Sequence, residues 1–180
     1  MPSIEPVSPP YSERVIASFE TIMPKGVPPL GIFRVLAHNP RVLERVVNGG
    51  LLDKGAISVR HRELVILRTC ALCSAEYEWG VHARAFGPKA GLDDPALHAT
   101  WSEGSGWTGW DEASRLVLRL TETLHQTNTV DDALYAELTA HFASDALIEL
   151  VVLAGLYHAI SFVVNAFGVA NEAFAHPVPL

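Results

Sequence analysis

Glu63-Leu-Val-Ile-Leu-Arg-Thr-Cys-Ala-Leu-Cys-Ser-Ala-Glu-Tyr-Glu-Trp-Gly-Val-His82 is the stretch whose reading decides the fold. It holds both cysteines of the chain and its densest set of proton-transfer groups. As one straight helix, at 1.5 Å per residue, it would separate Glu63 from His82 by roughly 28 Å. If the chain bends back near Leu72–Ala75, the two side chains can meet. Ser58 is placed to cap a helix over 59–72, whose apolar positions Leu64, Val65, Leu67 and Ala71 recur at helical spacing. Ser74 offers a fresh cap. Glu76 and Glu78 then fall in a new first turn, where acids favour the positive end of the helix dipole. The second helix runs from Ala75 to about Phe86 and stops at Gly87-Pro88. The expectation is therefore a helical hairpin over 59–86.

Outward from the hairpin the pattern stays helical. Residues 1–11 carry four prolines and read as an extended arm, the start of a single domain over 1–180. Ser12 caps a helix to about Met23, with Val15, Ile16, Phe19, Ile22 and Met23 on one face. After a Pro- and Gly-rich loop comes a short helix near Ile32–Ala37. Asn39-Pro40 then restarts the chain in N-cap, N1 order, with Val42, Leu43, Val46 and Val47 as the buried face and Gly49-Gly50 as the stop. Further helices begin at Asp94-Pro95, after Asp111, after Thr129 and at Ser144, and Trp101–Trp110 reads as irregular. The last helix, to about Phe167, is apolar nearly all round. It should be central to the bundle or covered by another subunit. No alternating run is flanked by hairpin turns, so the class is all-α.

Composition narrows the function. The net charge of −7 and the lack of any basic run argue against a nucleic-acid or anionic-membrane partner. The longest apolar stretch, 146–167, is interrupted by Glu149, His158, Ser161 and Asn165, so no membrane span is expected. Neither a signal peptide nor a disulfide framework is evident, which points to the cytoplasm. No second C-x-x-C and no H-x-x-x-H accompanies Cys70 and Cys73, so no metal site is expected.

His82 follows Glu78 by four residues, so the two share a helix face. A carboxylate beside an imidazole raises its pKa and fixes its tautomer, an arrangement suited to general acid–base work. Glu63 is either a solvated first-turn acid paired with Arg60 or Arg62, or the group that faces His82 across the hairpin. Cys70 and Cys73 are either a redox dithiol or small buried thiols. Cys70 lies toward the C-terminal end of its helix, the wrong end to stabilise a thiolate. His158 and Asn165 must find partners on the apolar last helix, in a cavity, on backbone or on another subunit. Tyr77, Trp79, Trp101, Trp107 and Trp110 are core or rim residues, or platforms for an apolar ligand.

The segments Arg60-His-Arg-Glu-Leu-Val-Ile-Leu67 and Glu76-Tyr-Glu-Trp-Gly-Val-His82 resemble the carboxymuconolactone decarboxylase/AhpD-like superfamily. Supporting matches are Phe33-Arg-Val-Leu-Ala-His-Asn-Pro40, Ala90-Gly-Leu92, Glu149-Leu-Val-Val-Leu-Ala-Gly-Leu-Tyr157 and Asn165-Ala-Phe-Gly168. The resemblance spans about 30–170. It implies an AhpD-like multi-helix bundle built around a helical hairpin, assembled as a homodimer, trimer or hexamer. The family's peroxidase branch places cysteines where this chain has Ala75 and Glu78. Cys70 and Cys73 lie five residues earlier, so the chain looks like the non-thiol branch. That branch implies a lyase or isomerase of decarboxylase type, without metal or organic cofactor, acting on a small carbonyl or carboxylate compound. In it Glu63, Glu78 and His82 form the catalytic centre. Arg60, Arg62 or Arg68 holds an anion, and Tyr77, Trp79 and His158 are further substrate-binding candidates. Two alternatives stand beside this. One is a thiol peroxidase or disulfide reductase using Cys70 and Cys73. The other is a non-catalytic oligomeric small-molecule-binding protein whose pocket is closed by the Trp101–Trp110 loop.

Overall fold

The computed structural model describes residues 3–179; the first two residues of the expected arm and the last of the tail lie outside them. Among the described residues there are nine α-helices and no strand, so the all-α expectation holds. They are α1 (Glu13–Ile22), α2 (Gly31–Leu36), α3 (Pro40–Asn48), α4 (Val59–Leu72), α5 (Glu76–Phe86), α6 (Asp94–Trp101), α7 (Glu112–Thr127), α8 (Asp132–His141) and α9 (Ser144–Ala166). The tryptophan-rich segment is irregular apart from a 3₁₀ turn at Gly104–Gly106.

The expected break in the hairpin is present, but its chemistry differs. Ser74 does not cap α5; the N-cap position is Ala75, with no side-chain cap. Instead, Ser74 takes a left-handed φ of 53°. The Ala75 N–H donates to Cys70 O at 2.8 Å, and the Ser74 N–H donates to Ala71 O at 3.0 Å. Those two bonds define a Schellman motif, which satisfies the last carbonyls of a helix while reversing the chain. Glycine usually holds the left-handed position, and serine there obscures the stop signal in the sequence.

Other caps shift for similar local reasons. Asp93 caps α6 through Ala96 N, and Asp131 rather than Thr129 caps α8 through Leu134 N. Ser144 is the first residue of α9, not its cap. Asn39, Ser58 and Asp111 cap as expected. Ile16, placed on the buried face of α1, is exposed instead.

The central helix is α4, not α9. Leu64, Val65, Ile66 and Leu67 are four consecutive side chains fully shielded from solvent. That is possible because α5, α6, α7 and α9 all pack on α4. By length and composition α9 could cross a membrane. In the bundle it buries one face, through Leu150, Leu153, Ala154, Tyr157, Ile160 and Val164. Its other face leaves Ile148, Val151, Val152 and Phe162 exposed.

Candidate active site

Folding α5 back onto α4 closes the 28 Å gap. His82 Nδ1 lies 2.8 Å from Glu63 Oε2. Glu63 is fully buried, and its second oxygen accepts from Arg62 Nε at 2.9 Å. Arg62 is itself anchored to Leu52 O at 2.7 Å and stacks over Phe86. On the far side of the ring, His82 Nε2 lies 3.0 Å from the Tyr157 hydroxyl of α9 and 3.4 Å from Glu78 Oε1, one turn back on α5. Glu78 and His82 therefore share a face, as their spacing predicts.

The cluster holds two carboxylates and two cationic side chains, so the charges compensate one another. That balance lets it survive burial, because an unpaired ion in such a place costs several kcal/mol. Burial pulls the His82 pKa down, but Glu63 and then Glu78 outweigh it and lift the pKa to about 9. At neutral pH the ring is an imidazolium. Its Nδ1–H is committed to Glu63, which leaves Nε2–H as the working proton. Burial, reinforced by Glu78 and Glu63, holds the Tyr157 hydroxyl well above the usual phenol range, so it stays protonated.

This edge of the cluster opens into a hollow of about 260 Å³. Its walls come from Ile22 of α1, Ile32 and Phe33 of α2, Val46 of α3, the 23–30 loop, Val81, Ala85 and Phe86 of α5, and Leu156 and Ile160 of α9. Phe174, from the chain beyond α9, covers one side. That covering segment is held by a His176 N–H to Gly80 O bond of 2.9 Å. The polar side chains on the wall are Glu78, His82 and Tyr157. The volume is below the range of drug-sized sites, which sets an upper bound on what the hollow can admit.

Several sequence candidates lie elsewhere. Arg60 donates to Ser114 Oγ, Ala90 O and Gly91 O and lies over Trp110. Arg68 donates to Glu122, Thr100 O and Trp101 O. Both arginines tie the bundle together, and no arginine lines the hollow. Trp79 is fully buried and donates to Thr100 Oγ1 at 3.1 Å. Tyr77 donates to Glu172 Oε1 at 2.8 Å and accepts from Ile32 N, behind the wall rather than on it. Trp107 and Trp110 meet edge to face with centroids 4.7 Å apart, and Trp101 packs edge to face on Trp79. The tryptophan loop thus closes over core, not over the hollow. His158 meets His125, Nε2 to Nδ1, at 2.9 Å, on the outer side of α9.

The thiols also lie off the hollow. Both are free, Cys70 buried and Cys73 half-buried. Burial pushes the Cys70 thiol well up, with Glu78 adding to it, and burial raises Cys73 as well. Neither environment favours a reactive thiolate. The main residue that sequence reasoning missed is Tyr157. It neighbours His158, and only the rotational setting of α9 decides which of the two turns inward.

No protein-family model matches the chain. One curated relative is 34% identical over 97 residues, the uncharacterized protein YnjA of Escherichia coli strain K12. That match covers 53% of this chain and 52% of the relative, so it spans about half the relative's length. Solved structures match across nearly the whole chain. An uncharacterized peroxidase-related protein from Silicibacter sp. TM1040 superposes with a TM-score of 0.82 at 16% identity, covering 98% of this chain and 97% of its own. An alkylhydroperoxidase AhpD core protein from Ralstonia eutropha JMP134 gives 0.77 at 15%, covering 91% and 87%. The debrominase Bmp8, as a cysteine-to-alanine variant in complex with 2,3,4-tribromopyrrole, gives 0.69 at 17%, covering 94% and 91%. At these identities the likeness establishes the fold, and it is the AhpD-like fold that the sequence resemblance implies.

Proposed function

We propose that this chain, which carries the AhpD-like fold, is an acid–base enzyme whose chemistry in the hollow needs no cofactor and moves a proton on a small, apolar carbonyl compound. The observation that carries the reading is the pairing of opposite roles on one wall. The His82 imidazolium offers Nε2–H, and the Glu78 carboxyl 3.4 Å away can accept a proton. In the reaction envisaged, Glu78 removes a proton alpha to the carbonyl while His82 or the Tyr157 hydroxyl donates to the enolate oxygen. In a β,γ-unsaturated ketone, Glu78 returns the proton to the γ carbon while the enol O–H proton goes back to His82 or Tyr157, giving an isomerase. In a β-keto acid, loss of carbon dioxide leaves the electron pair on the enolate, which His82 then protonates at carbon, giving a lyase. Positioned acid–base groups of this kind contribute roughly 10²–10⁴ in rate, and the dry apolar walls add to it by strengthening each electrostatic contact.

The lining favours neutral ketones over β-keto acids, so isomerisation is the favoured outcome and decarboxylation the lesser one. His82 is the one cationic group among the lining residues, and Glu78 beside it repels an anion. The anion clamp considered for Arg60, Arg62 or Arg68 has no support, because these side chains serve Ser114, Glu63 and Glu122. A neighbour of the same fold holds a small flat halogenated ring, which is compatible with an apolar ligand here. The apolar outer face of α9 supports a homo-oligomer.

The experiment is alpha-deuterium exchange in D₂O, followed by proton NMR on a panel of small alkyl and aryl ketones and β-keto acids. Wild type should accelerate exchange or decarboxylation of at least one class, and His82→Ala and Glu78→Gln should abolish it. Full exchange in His82→Ala overturns the reading. Peroxide consumption that disappears in Cys70→Ser would establish the thiol alternative instead. A tightly held ligand returned unchanged, with affinity indifferent to His82→Ala, would establish simple binding.

A further inference from the structure

Away from the hollow, three metal-ligating side chains that the acid–base chemistry does not use converge from three elements. Cys73 comes from the hairpin turn, His125 from the last turn of α7 and His158 from α9. One ligand atom from each lies within 4.8 Å of the others, and all three side chains are half-buried. We propose that they form a binding site for a thiophilic divalent cation of the zinc type.

The geometry asks little of the chain. Tetrahedral zinc, with bonds of about 2.0–2.1 Å to nitrogen and about 2.3 Å to sulfur, sets neighbouring donor atoms roughly 3.3–3.6 Å apart. The two imidazole nitrogens already stand at 2.9 Å and need to part slightly. The thiol needs to close in by about 1.2 Å at most, within ordinary side-chain rotation. His158 is already set as a ligand. Its Nδ1–H donates to Ala154 O at 2.9 Å, which fixes the tautomer and leaves Nε2 as the acceptor nitrogen, taken by His125 Nδ1–H until a cation displaces it. A histidine whose other ring nitrogen is bonded to a carbonyl is the usual outer support of a metal ligand. The turn that carries Cys73 is also held, by Asn165 Nδ2 donating to Cys73 O at 2.8 Å.

Charge permits the cation. Arg68 lies close enough to depress the His125 pKa, after burial and His158, but its guanidinium is neutralised by Glu122 at 2.7 Å. Burial keeps the Cys73 thiol protonated in the free protein. Binding therefore breaks S–H, forms metal–S and releases one proton to solvent, while the His125 proton moves from Nδ1, where it bonds His158, to Nε2 so that Nδ1 can coordinate. One thiolate and two imidazoles leave the fourth position to solvent, and this donor set suits zinc or cobalt better than magnesium or calcium. The bound ion would pin the hairpin turn to α7 and α9. Sequence spacing could not reveal the set, since its members lie at 73, 125 and 158 with no short motif.

The test is titration of the full-length, reduced protein with Co²⁺, followed by Zn²⁺ displacement. A thiolate-to-cobalt charge-transfer band and tetrahedral ligand-field bands should saturate at one equivalent, and Zn²⁺ should erase them and raise Tm. Cys73→Ser should remove the charge-transfer band. His158→Ala and His125→Ala should weaken binding more than about 100-fold, since even an outer-shell partner is worth roughly 10–100-fold. Cys70→Ser should bind like wild type, and circular dichroism checks the fold of each variant. Absence of the band at several equivalents overturns the proposal. So does a band that survives in His125→Ala and His158→Ala, or one that vanishes in Cys70→Ser.

Discussion

Glu63 and His82, nineteen positions apart in the chain, meet through a 2.8 Å hydrogen bond in a place solvent does not reach. The contact depends on a single reversal at Ser74. Every acid–base property of the site passes through it, because Glu63 both orients the ring and supplies the largest upward push on its pKa.

The titration of His82 follows directly. In wild type, its ring protons should titrate by NMR near 9, where the two carboxylates overcome burial. In Glu63→Gln the main upward cause is gone, while burial remains. The midpoint should fall, and an unmoved midpoint would show that the two side chains do not meet in solution.

Stability should depend on pH through the same group. The folded pKa of about 9 exceeds the unfolded value near 6.5. The folded state therefore binds the proton more tightly. The resulting stabilisation is fully present below about pH 6.5 and is lost as pH rises toward and through 9. Urea unfolding at a series of pH values should show stability declining across that window. In His82→Gln this component of the decline should vanish.

Ser74 sits exposed at φ 53° with no side-chain hydrogen bond of its own. A non-glycine residue in the left-handed region costs about 1–2 kcal/mol, partly offset by the greater unfolded-state freedom of glycine. Ser74→Gly should thus stabilise the fold by roughly 0.5–1 kcal/mol, read as a higher urea midpoint at unchanged m. A lower midpoint would mean that the hydroxyl has a partner in solution.

Gly80 lets the chain beyond α9 lie against α5. A Cβ there would stand 2.6 Å from His176 O and 3.2 Å from Ala175 Cβ. Gly80→Ala should displace that segment and with it Phe174, uncovering the hollow. The clash should outweigh the gain in helix propensity of about 1 kcal/mol. Limited proteolysis should then cut within 169–179 faster than in wild type, whereas equal rates would place the segment elsewhere in solution.

Much of the architecture is legible without coordinates, because helix periodicity and caps are local. The bounds of α4, the caps at Asn39, Ser58 and Asp111, the all-α class and the i,i+4 pairing of Glu78 with His82 depend only on residues a few positions apart. The resemblance at Glu63 and at 76–82 pointed to the right fold for the same reason, since short motifs survive in sequence.

Which side chains share a space is a different kind of fact, decided by the rotation of whole helices about their axes. That rotation brought Tyr157 rather than His158 to the imidazole, and drew Arg60 and Arg68 into structural bonds. It also gathered Cys73, His125 and His158 away from the hollow. A helix whose residues are apolar nearly all round, as in α9, carries no mark of its buried stripe. Only packing against α4, α5, α7 and α8 could choose one.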